Sequence, residues 1–171
     1  MQILQQMDRV IRYVVMFIVL VLLQVVLFSN IDYFGFICPY VYILFFLALP
    51  IGFNCYGAMG LAFFMGLLID IFSCTPGVHI ASTVFFAFVR DYWISIILPH
   101  NELGYVEPSI SKLGFANFIK YSLPLVLVHH LILFFAESWS FVDAWFAIVK
   151  AIANAVVTML LIISYYLIRG K

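Results

Sequence analysis

Charge is what this sequence has least of. Eight Lys and Arg and eight Asp and Glu make up 9% of its 171 residues, where ordinary soluble domains carry roughly 25%. That shortage excludes a water-soluble fold, because there is too little polar surface to cover so much apolar material. The formal net charge is zero, and no basic run points to a nucleic-acid partner. Cysteine is also scarce. Cys38, Cys55 and Cys74 are an odd number without C-x-x-C spacing, which indicates neither a disulfide framework nor a zinc site; free thiols buried as small apolar residues are expected.

Signatures of chemistry are missing as well. The chain has no G-x-S-x-G, no H-E-x-x-H, no phosphate-cradling glycine loop and no pair of acids at helical spacing within an apolar run. His129 and His130 are adjacent on one expected helix and cannot both reach one metal from the same face. Neither an enzyme, a cofactor nor a metal centre is therefore expected.

What is present is apolar sequence. Hydrophobic residues make up 67% of the chain and its mean hydropathy is +1.18. A bilayer-spanning helix takes roughly 20 apolar residues, so about six would use most of the length and leave one polytopic membrane domain over residues 1–171. Runs between breakers place spans at Arg12–Ser29, Phe36–Pro50, Tyr56–Ile71, Val78–Leu98, Tyr121–Ala136 and Asp143–Ile168. The first lacks a small-residue cleavage site and is expected to stay as an uncleaved span. The second and third are short, and "PIGFNCYG" between them leaves a re-entrant hairpin as an alternative.

The basic residues favour six crossings with both termini cytoplasmic. In that arrangement Arg9, Arg12, Lys112, Lys120, Arg169 and Lys171 all face inward, while "NIDYFG", "DIFSCTPG" and "ESWSFVD" face outward without a Lys or Arg. The long connection at about 100–120 lies inside, and its "SISKLGFANFIKY" roughly follows a helical stripe. Either a short amphipathic helix on the membrane surface or a solvated loop fits it.

Small residues recur every fourth position in two spans. Ala58, Ala62 and Gly66 lead to Asp70; Ala147, Ala151 and Ala155 run beside the polar strip Lys150, Asn154 and Thr158. Such strips admit close helix approach, so both helices are expected to be packed rather than lipid-facing, and the candidate partner faces are the exposed side of the first span and the Ala58, Ala62, Gly66 strip. A buried amine needs a partner, and a contact between Asp70 and Lys150, direct or through Asn154, is one expectation. Two others remain open for Asp70: satisfying backbone amides where the fourth helix begins, after a type II turn with Pro76 and Gly77 at its centre, and a ligand or proton-relay role. Arg90 is expected to snorkel to the inner surface, pointing away from Asp91.

The stretch "LAFFMGLLIDIFSCTPGVHIASTVFFAFVR", Leu61 to Arg90, resembles the central signature of the MreD family of bacterial rod-shape-determining membrane proteins. There, a small-residue helix ending in G-L-h-x-D is followed by a turn glycine and another apolar helix. "PYVYILFFLALP" resembles that family's second span. The resemblance implies a non-enzymatic scaffold of the cell-elongation complex in the bacterial cytoplasmic membrane. Such a scaffold binds the bitopic protein MreC and supports the peptidoglycan polymerase and transpeptidase. It also implies a bundle like the S-components of vitamin transporters, hence an alternative function in small-molecule binding for uptake. The bulky first span, "YVVMFIVLVLLQVVLFS", lacks the small alanines with which an S-component docks its energising module.

Overall fold

The computed structural model describes residues 2–28, 36–97, 106–138 and 144–169. Nearly all of them are helical: α1 (Gln2–Leu22), continued by a π turn at Leu23–Leu27, α2 (Ile43–Ala48), α3 (Cys55–Ser73), α4 (Val78–Ile97), α5 (Ile110–Leu113), α6 (Phe115–Ser138) and α7 (Ala144–Arg169). Five helices, over Gln6–Leu27, Cys55–Ser73, Val78–Ile97, Phe115–Ser138 and Ala144–Arg169, are long and apolar enough to cross a membrane. The chain is thus an all-α, multi-pass membrane protein.

The second expected span is different. Between Phe36 and Pro50 only Ile43–Ala48 is helical, so the expectation of a continuous helix there is corrected. Every residue from Ile43 to Ala48 is buried, and so are Tyr40, Tyr42 and Leu49. The segment runs through the bundle as its core, and the long helices surround it. Its apolar composition does not dictate a helix, because the same side chains fill a core from an extended backbone equally well.

The small-residue strips do their packing internally. Ala58, Ala62 and Gly66 are all buried in α3. A Cβ on Gly66 would stand 2.6 Å from the Ile80 Cα and 2.7 Å from the Thr83 hydroxyl oxygen, so only glycine lets α4 lie this close. The Thr83 hydroxyl donates to the Ala62 carbonyl across the contact, at 3.0 Å. The Ala58 strip is therefore covered by α4 and cannot be a partner face. Ala147, Ala151 and Ala155 are likewise buried, in α7.

In the 100–120 connection the described residues hold one short helix and the start of the next. α5 is a single turn, Gly114 follows it at φ +76°, and Phe115 already begins α6; residues 100–105 of that loop lie outside the described residues. Pro124 sits inside α6 without ending it. A groove of about 860 Å³ opens on the bundle surface between α1 and α3.

Candidate functional site

Backbone at membrane depth must find hydrogen-bond partners within the protein, and Phe36–Tyr42 lacks a helix to supply them. Polar side chains from two helices do so instead. Asn154 Nδ2 donates to the Phe36 carbonyl at 2.9 Å, and Asn154 Oδ1 accepts from the Cys38 amide at 2.7 Å. The Thr158 hydroxyl accepts from the Tyr40 amide at 3.1 Å. From the other side Gln24 donates to the Pro39 carbonyl at 3.2 Å and accepts from the Val41 amide at 3.0 Å. Gln24 lies within the π turn of α1 and is buried; such bulges often mark functional positions. Asn154 and Thr158 thus serve the threaded backbone rather than a pocket.

The carboxyl end of α2 is held by a cation. The Arg90 guanidinium, wholly buried, donates to the carbonyls of Leu49 and, at 3.3 Å, Pro50. Its Nε donates to the Tyr121 hydroxyl at 3.1 Å, which in turn donates to the Leu47 carbonyl at 3.2 Å. Positive charge at a helix carboxyl end complements its dipole and its unpaired carbonyls. Arg90 does not snorkel to the surface. It also pairs with Asp91 at 3.2 Å, so the two neighbours meet rather than point apart. Close by, Glu107 pairs with Arg12 and accepts from the Tyr13 hydroxyl at 2.9 Å.

Asp70 is occupied in a similar way. Its Oδ1 accepts from the Thr75 hydroxyl at 3.0 Å, the His79 amide at 2.9 Å and His79 Nδ1 at 2.9 Å. Its Oδ2 accepts from the amides of Gly77 and Ile80, both at 3.1 Å. Five donors saturate the roughly four lone-pair sites of a carboxylate. Asp70 therefore closes the turn between α3 and α4 and covers the exposed amides of α4. Pro76 and Gly77 occupy the centre of that turn: Gly77 has φ +84°, and the Val78 amide donates to the Thr75 carbonyl at 3.2 Å.

The expected contact between Asp70 and Lys150 is absent. Lys150 forms no ion pair among the described residues; its amine lies 5.8 Å from the Phe134 ring centre and 5.5 Å from that of Phe146, a cation–π arrangement. Asn154 does not bridge the two charges, since its carboxamide is taken by Phe36, Cys38 and the Lys150 carbonyl. Lys150, Thr75, His79 and the exposed Glu137 instead line a cavity of about 190 Å³ beside Cys38.

A buried aromatic and histidine cluster fills the middle of the bundle. Tyr42 and His129 share a hydrogen bond of 2.9 Å through Nε2, and His130 contacts the Val126 carbonyl at 2.7 Å and Thr158 at 3.3 Å. No group of three or more metal-ligating side chains occurs among the described residues. Sequence reading missed Gln24 and the capping role of Arg90. A lone glutamine in an otherwise apolar span, and prolines at both ends of "PYVYILFFLALP", were the available signals.

Compared with family models, curated proteins and solved structures, the chain matches none.

Proposed function

We propose that this protein is a non-enzymatic membrane scaffold that crosses the bilayer six times, with both termini cytoplasmic. In this reading it binds the single membrane helix of an MreC-like partner along the outward face of α1. The partner would couple it to the peptidoglycan polymerase and transpeptidase of a bacterial elongation complex, as the likeness of Leu61–Arg90 to the MreD signature implies. The observation that carries the scaffold reading is how the interior polar groups are used. Asp70, Arg90, Gln24, Asn154 and Thr158 are all engaged with the protein's own backbone.

An uptake protein needs room inside. Small-molecule sites occupy roughly 300–1,000 Å³, whereas the cavity beside Lys150 has about 190 Å³, and the groove of about 860 Å³ between α1 and α3 lies on the bundle surface rather than inside it. The sixth crossing is the threaded segment. Five residues at up to about 3.3 Å each and eight in turn or helix at about 1.5 Å reach at most about 28 Å, close to the thickness of the hydrocarbon core. Unwinding thus lets fewer residues cross than a continuous helix would require.

On α1, Ile11, Val15, Ile18, Leu22 and Val26 are all exposed. Their spacings of four, three, four and four place them along one side of the helix, as in a helix–helix seam. Shape-fitting supplies the association energy there, since lipid gives no hydrophobic drive between helices. Photo-crosslinking residues placed singly at Val15, Ile18 and Leu22 in cells are expected to trap one bitopic protein, whereas one placed at Phe88 on α4 is not. Absence of that adduct, or copurification with cassette ATPases instead, overturns the proposal.

A further inference from the structure

We infer that the groove between α1 and α3 is a niche for a single anionic phospholipid of the leaflet on the amino-terminal side. Its lining is graded. Gln6 and Arg9 stand at one end, Tyr13 follows with its hydroxyl engaged by Glu107, and the remaining lining is apolar, with Val10, Val14 and Phe17 from α1, Phe64 from α3 and Phe45 of the threaded segment at the base. An amphiphile matches that gradient, with its phosphate beside the Arg9 guanidinium and an acyl chain between the helices. Arginine is the side chain best suited to a phosphate, through paired N–H donors.

Length separates a lipid from a protein helix. From Gln6 to Phe17 the groove follows eleven helical steps, about 16 Å; with Arg12 at the start of the span its amino-terminal half lies at headgroup depth, and the remainder stops well short of crossing a hydrocarbon core about 30 Å thick. A partner's membrane helix would run the full thickness; a phospholipid ends at the midplane. The exposed stripe of α1 used in the scaffold reading is a separate face, so each can fail without the other. Through Phe45 the acyl chain touches the threaded segment itself, and occupancy would brace that segment from the membrane side.

The test is native mass spectrometry of the purified full-length chain in detergent, titrated with phosphatidylglycerol or phosphatidylcholine of the same acyl composition. One phosphatidylglycerol per chain is expected to be retained where phosphatidylcholine is lost. Arg9→Gln is expected to weaken its retention about fivefold, the equivalent of one basic residue near an anionic surface. Val14→Trp, at an exposed position that fills the groove, is expected to abolish phosphatidylglycerol retention without lowering the melting temperature. Lys120→Gln, a basic residue outside the groove, is expected to change nothing. Equal retention of the two lipids, insensitivity to Val14→Trp, or an equal loss in Lys120→Gln overturns the inference.

Discussion

Asp70 and Lys150 are both ionisable residues in spans, yet they differ in how far the fold depends on them. Asp70 receives donors from the turn and from the first turn of α4. Lys150 rests on two phenyl rings at the edge of a cavity. Asp70→Asn would set an amide nitrogen against the Gly77 and Ile80 donors and leave them unsatisfied. A loss of about 3 kcal/mol is expected, read as a lower melting temperature in detergent. Lys150→Met keeps the ring contacts and is expected to cost less than about 1 kcal/mol. A similar loss from both variants would restore an ion pair between them and overturn this assignment.

At the scale of elements, the threaded segment depends on helices remote from it in sequence. Gln24→Leu removes both hydrogen bonds to Pro39 and Val41 and leaves a buried carbonyl and amide without partners. The expected cost is about 2–4 kcal/mol, together with cysteine reactivity at position 38 that rises in a maleimide-labelling time course. Unchanged reactivity would mean that α7 alone holds the segment. This element also marks the limit of sequence reading. The spans now called α3, α4 and α7 were legible because Asn54, the "TPG" turn and the polar carboxyl end bound long apolar runs. The turn chemistry around Asp70 was legible for the same reason. The unwound backbone of Phe36–Tyr42 was not, since "YVYILFF" is equally apolar as helix or extended chain. The cap on α2 was hidden too, because the acceptors of Arg90 are the carbonyls of Leu49 and Pro50, groups that every residue possesses.

For the whole molecule, basic side chains gather at the end where Arg12 meets Glu107 and Arg169 stands near Pro108 and Lys112, with Glu107 set among them. Cys74, exposed beside the Asp70 turn, is a native probe of the opposite end. In the six-crossing arrangement an impermeant maleimide is expected to label Cys74 in intact spheroplasts. A cysteine introduced at Ser111, tested with Cys74 replaced by serine, is expected to react only after permeabilisation. Labelling of both from one side would exclude that topology.

The threaded segment also has a consequence for how the chain is made. Its Tyr40 amide waits for a hydroxyl that lies 118 residues further on. At synthesis rates of about 5–20 residues per second that interval is roughly 6 to 24 s. Gln24 precedes the segment and Arg90 and Tyr121 follow within that interval, but the partners of Phe36, Cys38 and Tyr40 come last, and in the six-crossing arrangement those peptide groups meanwhile face oil. Biogenesis therefore requires either an insertase that shelters Phe36–Pro50 at the translocation site, or delayed entry of that stretch until the last helix arrives. Nascent chains arrested before Asn154 should be favoured substrates for membrane quality-control proteolysis.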